Sequence, residues 1–292
     1  MKIDIIVPTY NRSEILGETL DSVQNQTFQD WKCWIAEDGE TQKTYMAVKP
    51  YLADDRFVYL PGNHSGSPAR PRNRGVMSGT FEYIAFLDDD DIWLPTKLQC
   101  QLEFMEGRPE CVLSGCNAYR LSGSKKWDQN LSLYFQKKKF FGKIPYTALV
   151  QDNYFIASSV MIRRNVLNQS GLFNENLSPL EVMADDYELW LRIGVLGETW
   201  NLTDPCLIYR ETPQTFYSKL NREDNYKSRA NILDRALQGV EGVQSPLSYP
   251  ENRQLAAACR YERDFYLAGP RFLGRFRHEL ALKIRNFLSI SF

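Results

Sequence analysis

Tyr83-Ile84-Ala85-Phe86-Leu87-Asp88-Asp89-Asp90-Asp91-Ile92-Trp93 is the stretch that decides the fold. Its apolar half, ended by charge, reads as a buried strand. The four carboxylates that follow repel one another, and folding concentrates them further. Apolar residues on both sides argue against a floppy acidic tail. From the run alone two readings stay open. It anchors a hard divalent cation, Mg²⁺ or Mn²⁺, or it is a solvated acidic turn that caps a helix near Pro95.

The segments before it alternate between two periodicities. Strands are expected over residues 3–7, 31–36, 57–60 and 81–87, and helices over 13–25, 41–52 and 69–78, with Ser13 as the first helix's N-cap. Such alternation implies parallel pairing in an α/β sheet, whose ligands collect at the carboxyl ends of the strands. Three polar clusters lie at those ends: Thr9-Tyr10-Asn11-Arg12, Glu37-Asp38-Gly39 and the aspartate run. From 111 to 163 the pattern is less regular, and its Lys137-Lys138-Lys139 reads as a solvated loop. A strand resumes at Val160-Met161-Ile162 and a helix covers 186–193. Beyond 220 the pattern is mostly helical, broken between Gly239 and Pro250.

Composition narrows the classes. The 292 residues carry a net charge of −1, which gives no bulk attraction to nucleic acid. Six scattered cysteines without a C-x-x-C read as reduced thiols, and two histidines argue against a histidine-rich zinc site. The opening apolar stretch, interrupted by Asp4 and ended by Pro8, is too short for a signal-peptide core. No apolar run reaches the roughly 18 residues that a spanning helix needs. The expected location is cytoplasmic, with peripheral contact on the inner face of the plasma membrane as an option.

Five segments together resemble the inverting family 2 glycosyltransferases of GT-A fold. Ile5-Ile6-Val7-Pro8-Thr9-Tyr10-Asn11-Arg12 is similar to their opening strand and loop, and Glu37-Asp38-Gly39-Glu40-Thr41 to their acidic D-D-G-S-T turn. Ala69-Arg70-Pro71-Arg72-Asn73-Arg74-Gly75 resembles their A-R-N-x-G segment. Phe86 to Trp93 resembles the D-x-D strand end, and Ala184 to Arg192 their E-D-Y-x-L-W-x-R helix start. The resemblance covers residues 3 to 192, in the family's order. It implies a GT-A (Rossmann-like) α/β fold with a mixed, mainly parallel sheet flanked by helices. Residues 1–220 would form the catalytic domain, 1–110 for the nucleotide-sugar and 111–220 for the acceptor. Residues 221–292 would be a helical C-terminal extension.

The resemblance also implies roles. Asp186 would be the catalytic base that takes the acceptor proton, ionised at neutral pH with an ordinary pKa of about 3.9. Asp90 would ligate Mn²⁺ or Mg²⁺, with Asp88 or Asp91 as the other candidates, since Asp88-x-Asp90 and Asp89-x-Asp91 both satisfy the pattern. Pro8, Thr9, Tyr10, Arg12, Asp38, Arg72, Asn73, Asp88 and Asp89 would bind the nucleotide-sugar. Among them Asp38 would accept from a uracil-type imide, and Arg72 with Asn73 would face the diphosphate. Arg70 and Arg74 read as surface charges and His64 as a loop residue near the donor.

The implied activity is non-processive, inverting transfer of a sugar from a nucleotide-diphospho-sugar, UDP-type. The acceptor hydroxyl would belong to a glycan, lipid-linked or protein-linked partner, as in polysaccharide biosynthesis. Two departures stand out. Asp185 replaces the usual glutamate, and no histidine follows Leu207-Ile208-Tyr209-Arg210, which leaves Glu211 as an acidic substitute or one ligand fewer. The basic amphipathic segment from Arg271 to Phe292 either contacts a membrane surface or packs on the domain. Two other functions stay open: a nucleotidyltransferase, although Pro8-Thr9-Tyr10-Asn11 offers no Gly-rich lysine loop, or a non-catalytic sugar- or Ca²⁺-binding module, against which Asp186 argues.

Overall fold

The computed structural model describes residues 1–122, 131–137, 140–178, 181, 184–211, 222–240 and 242–268. Four parallel strands form its first half: β1 (Ile3–Thr9), β2 (Trp31–Glu37), β3 (Phe57–Leu60) and β4 (Tyr83–Phe86), in the spatial order β3-β2-β1-β4. Every residue of β1 is buried, as a strand covered on both faces must be. Successive side chains go to opposite faces. Ile6, Ile84 and Phe86 enter one core with Ala69 and Val76 of α3 (Ala69–Ser78). Ile3, Ile5, Val7, Tyr83 and Ala85 enter the other, with Leu16 and Leu20 of α1 (Leu16–Gln24) and Leu98 and Leu102 of α4 (Lys97–Glu106).

Asp4, which interrupts the apolar start, is buried but fully paired. It accepts from Trp34 Nε1, the Phe81 amide and Arg164 Nη2, each at 2.7 Å. A buried carboxylate survives when it is paired and hydrogen-bonded in this way.

The first helix starts later than expected, at Leu16. Asn11 adopts the left-handed region at φ 53°, and the turn after it closes with the Arg12 carbonyl accepting from Ile15 and Leu16. Ile15 holds the cap position, with no side-chain cap, so Ser13 is not the N-cap. The second helix, α2 (Gln42–Val48), is capped by Thr41, whose hydroxyl accepts from the Thr44 amide at 3.2 Å. It stops short of 52 at Pro50, which has no N–H to continue the ladder, although Lys49 before it keeps helical dihedrals of φ −47° and ψ −42°.

The second half departs most from expectation. Residues 111–163 contain a long strand, β6 (Cys111–Ser122), hidden in the sequence by Ser114, Gly115 and Asn117. Those residues are buried and satisfied. Gln101 donates to the Ser114 carbonyl and hydroxyl, and Asn117 pairs with the backbone of Phe135. A Cβ on Gly115 would come within 2.6 Å of the Phe155 ring. Small residues are what let the layers approach.

The sheet continues from β4 through antiparallel β9 (Met161–Arg163) to β6. It then passes to β10 (Glu198–Glu211), parallel to β6, and to antiparallel β5 (Ile92–Trp93). Edge pieces β7 (Ser132–Leu133) and β8 (Gly142–Ile144) complete one mixed sheet spanning both halves. The short helices α5 (Tyr146–Leu149) and α6 (Arg164–Ser170) lead to α7 (Asp185–Ile193). Within α7, Arg192 grips Glu188 at 2.8 and 2.7 Å and reaches the carbonyls of residues 170–172, which accounts for the arginine of that motif.

Two further helices, α8 (Arg222–Gln238) and α9 (Arg253–Ala268), flank a hairpin of β11 (Gly239–Val240) and β12 (Val243–Gln244). The expected break between Gly239 and Pro250 is there. Residues 271–292, including the basic amphipathic segment, and the stretch 212–221 lie outside the described residues, as do Lys138 and Lys139. Among the described residues no helix is long and apolar enough to cross a membrane. Five cysteines are buried, Cys100 is exposed, and all six are free.

Candidate active site

The aspartate run leaves β4 in a turn whose carboxylates alternate in direction. Asp89 and Asp91 are buried, whereas Asp88 and Asp90 are partly open. The buried pair is wired into the fold: Asp89 accepts from the Tyr10 amide at 3.3 Å and Asp91 from the Arg210 amide at 2.9 Å. Thr19 ties down the backbone by donating to the carbonyls of Asp89 and Asp91. Asp88 and Asp90 are thus the two carboxylates of the run left partly open. Asp91, one of the candidate metal ligands, is fully buried against β10 and lines neither cavity near the run.

Repulsion within the run is met by arginines. Arg12 pairs with Asp90 and lies 3.6 Å from Asp89, and Arg210 Nε donates to the Asp90 carbonyl. Burial, reinforced by Asp90, pushes the Asp89 carboxyl up to about 7 against the pull of Arg12. Burial also raises Asp90, opposed first by Arg12. Burial and then Asp90 hold Asp91 well above the carboxylate range.

Among the described residues no group of three or more His, Cys, Asp or Glu side chains gathers to hold an ion. A divalent cation bound by one or two carboxylates and completed by substrate phosphates needs no third protein ligand. Asp88 and Asp90 offer that oxygen donor set. Glu211, the suggested substitute for a histidine, pairs instead with Arg120 at 3.0 Å.

Around the run lies a cavity of about 560 Å³ whose lining includes Pro8, Thr9, Tyr10, Arg12, Asp38 and His64. The Asp38 carboxylate is engaged. It accepts from the Ser65 amide and hydroxyl, the Gly66 amide and His64 Nδ1, at 2.6 to 3.0 Å. It holds the 64–66 loop, at whose bend Gly66 takes φ 74°, rather than presenting free acceptors to a base. His64 stacks on the exposed Tyr10 ring, centroids 4.2 Å apart and 13° from parallel, and so belongs to the cavity wall.

Arg72 and Asn73 part company. Arg72, 5% exposed, bridges two carboxylates: Nη1 lies 2.9 and 2.8 Å from the oxygens of Asp185, and Nη2 donates to Asp88 at 2.7 Å. Burial opposes its charge, but Asp185 and Asp88 outweigh that and raise its pKa. Asn73 points away, donating to the Phe173 carbonyl and Glu175 at 2.9 Å and accepting from the Phe173 amide at 3.0 Å. It lines no part of the cavity around the run, which corrects its assignment to the diphosphate. Arg70 is a surface partner of Glu175 at 3.3 Å, whereas Arg74 donates to the Glu37 carbonyl instead of standing free.

Asp186 sits in the first turn of α7, beside Asp185, whose Oδ1 accepts from the Asp186 amide at 2.9 Å. Burial first, then Asp185, pushes the Asp186 carboxyl up to about 7, with Arg72 pulling the other way. The expected ordinary carboxylate is therefore replaced by one poised near neutrality. Asp186 lines a second cavity of about 480 Å³, together with Asp152, Tyr134 and Arg229. The two cavities share Pro68, Arg72, Asp88 and Tyr209. Asp89 and Asp90 face only the first and Asp186 only the second. A larger cavity of about 680 Å³ lies between α3, α6 and the β11–β12 hairpin. It contains none of these carboxylates.

A family model described as glycosyl transferase family 2 matches residues 4–171. An uncharacterized glycosyltransferase of Rickettsia bellii (strain RML369-C) is 30% identical over 194 residues, 66% of this chain and 26% of that protein. The chain thus matches about a quarter of that relative's length. The Escherichia coli UDP-Glc:alpha-D-GlcNAc-diphosphoundecaprenol beta-1,3-glucosyltransferase WfaP is 27% identical over 213 residues, 69% of this chain and 75% of that protein. In three dimensions the chain is similar to S. aureus TarS 1-349 in complex with UDP-GlcNAc, with TM-score 0.64, 19% identity, and coverage of 96% of this chain and 76% of that one. It is also similar to the mannosyltransferase PcManGT from Pyrobaculum calidifontis in complex with GDP-Man and Mn²⁺, with TM-score 0.58, 16% identity, and coverage of 99% and 80%. At such identities the structural likeness is one of fold, the GT-A arrangement of a mixed sheet between helices.

Proposed function

The chain belongs to glycosyl transferase family 2, and from that membership we propose that it moves a sugar, with inversion and without processivity, from a nucleotide-diphospho-sugar to an acceptor hydroxyl. A UDP-type donor is favoured, in keeping with the similarity to WfaP and TarS. The observation that carries this reading is the junction of the two cavities at Arg72, Asp88 and Tyr209. An inverting displacement needs its leaving group and its base on opposite sides of one carbon. Here the aspartate run and Asp186 stand on either side of a shared wall.

On this reading the nucleotide lies in the cavity of Pro8, Thr9 and Tyr10, with its diphosphate toward Asp88 and Asp90, and the acceptor enters beside Asp186. The acceptor oxygen forms the new bond at the anomeric carbon as the bond to the diphosphate breaks. Asp186 takes the acceptor proton, and its raised pKa suits a base working near neutral pH. Arg72 fixes Asp185 and so the start of α7, holding the base in place while its other nitrogen stays on Asp88. Asp90 and Asp88 would hold Mn²⁺ or Mg²⁺, which when bound supplies Lewis-acid stabilisation of charge on the diphosphate oxygens.

Residues 1–220 make the catalytic domain on this reading, and 221–292 a C-terminal extension. The acceptor would be a glycan, lipid-linked or protein-linked. The test is thermal shift of the full chain with UDP and with UDP-sugars, with Mn²⁺ or with EDTA, because a bound ligand raises melting temperature by mass action. We expect a UDP-dependent rise that EDTA removes and that Asp90→Ala abolishes. No rise with any UDP compound would refute the donor, and an unchanged rise in EDTA would refute the metal.

A further inference from the structure

The cavity beside Asp186 is not built by the α/β sheet domain alone. Helix α8 contributes Ser228, Arg229 and Ile232 to its wall, with Ile232 about one turn on from each of the other two. Arg229 is fixed by three residues, two in the loop after α5 and one on α9. Its Nη2 donates to the Gln151 carbonyl at 2.9 Å and to Asp152 at 3.2 Å, and its guanidinium lies 5.1 Å from the Tyr266 ring of α9. Tyr266 in turn donates to the same Gln151 carbonyl at 3.2 Å. The Arg229 and Asp152 side chains keep 29% and 46% of their surface, and both residues line the cavity.

The cavity also offers aromatic surface. Tyr134 and Tyr209 meet edge-to-face with centroids 5.1 Å apart, and both line it. Tyr209 belongs to the wall shared with the donor side, so a ligand against it lies at the reacting junction. Aromatic rings beside a few fixed polar groups suit a molecule with one apolar face and a hydroxylated edge. A pyranose ring has that shape.

Charge narrows the class further. With Asp88 given over to the cation, Asp152, Asp185 and Asp186 still outnumber Arg72 and Arg229 among the described lining residues. A carboxylate or phosphate on the ring next to Asp186 would meet this surplus and be disfavoured, which is selection by repulsion. A neutral ring escapes it.

We propose that this cavity takes the acceptor as an uncharged pyranosyl residue, packed on Tyr134 and Tyr209 and hydrogen-bonded by Asp152 and by Arg229 of the C-terminal extension. The extension then selects the acceptor instead of merely covering the domain. The inference rests on the reading that Asp186 faces the acceptor.

The experiment uses the full chain with UDP present and saturation-transfer NMR on simple probes. These are the methyl β-glycosides of glucose, galactose and N-acetylglucosamine, set against methyl β-D-glucuronide. Calorimetric titration of UDP forms a separate arm. At least one neutral glycoside should bind, and bind at least about threefold more tightly than the glucuronide. Arg229→Ala should weaken the neutral probe by at least about threefold, and Asp152→Asn should narrow the gap to the glucuronide, while UDP affinity stays the same in both. Should Arg229→Ala fail to fold, Asp152→Asn decides. A glucuronide that binds as well as the best neutral probe, binding unchanged in both variants, or no neutral probe bound while UDP still binds would overturn the proposal. Loss of UDP binding in the unmodified chain would overturn the donor reading instead.

Discussion

Replacing Arg72 with methionine keeps much of its length and removes its charge, leaving two carboxylates without their shared partner. Asp185 is 2% exposed, and Arg72 supplies two of its contacts, at 2.8 and 2.9 Å. Taking one member from a buried ion pair costs about 3–5 kcal/mol, since the remaining charge stays uncompensated. At about 2 °C per kcal/mol for a domain of this size, the melting temperature should fall by about 6–10 °C. The loss should also depend on pH. Burial already raises Asp185 and Asp186 while Arg72 lowers both, so removing the arginine raises them further. A carboxyl raised in the native state binds its proton there while the unfolded chain has released its own, so stability falls as pH rises toward the raised value. The gap between variant and wild type should therefore be smaller at pH 5.5 than at 8.5. Scanning calorimetry at both values measures it. A fall of under about 2 °C, or a gap equal at both pH values, would refute the bridge and leave only lost packing.

Two further perturbations test the same electrostatics. Because Asp186 must be ionised to accept a proton and sits near 7, kcat/KM should fall about tenfold per unit as pH drops below 7 and level off above it; a flat profile from 5.5 to 8 would rule the base out. Lys97 is fully buried, with its Nζ making no hydrogen bond and standing over the Trp93 ring 3.9 Å from its centroid, and burial lowers it from 10.5 to about 8 despite Cys116 and Cys206 nearby. That shift is worth about 3 kcal/mol against the charged native form below pH 8, so Lys97→Met should raise the melting temperature at pH 7, with the advantage shrinking from pH 8 to 10.5; a lower melting temperature would contradict it.

The parallel half of the sheet was legible because β1 and β4 are apolar on both faces and the turns after them are polar. The long strand β6 was not, since Ser114, Gly115 and Asn117 dilute its pattern, and what makes them strand residues lies far away in Gln101, Phe155 and Phe135. The aspartate run announced a site but not its register. Four identical side chains are told apart only by distant partners, the amides of Tyr10 and Arg210 for Asp89 and Asp91 and the guanidinium groups of Arg72 and Arg12 for Asp88 and Asp90. Arg72 and Asn73 were read together because they are adjacent in a motif. Neighbours on a helix diverge by about 100°, so one faced Asp88 and the other the loop at Phe173. Asp38 was visible as an acidic turn, but its engagement with Ser65 and Gly66 depends on the loop packed above it. Arg229 carried no local signal. Its place at the cavity follows from α8 docking on α7, a contact between segments that no short pattern connects.

The central claim, a base beside Asp88 but on the far side of the junction from the nucleotide, is tested most directly by Asp186→Asn. Transfer from a UDP-sugar and UDP affinity should be measured on the same preparation. The account predicts a fall in transfer of about 10² to 10⁴-fold with UDP affinity unchanged. Transfer at the wild-type rate, or loss of UDP binding in step with activity, would contradict it.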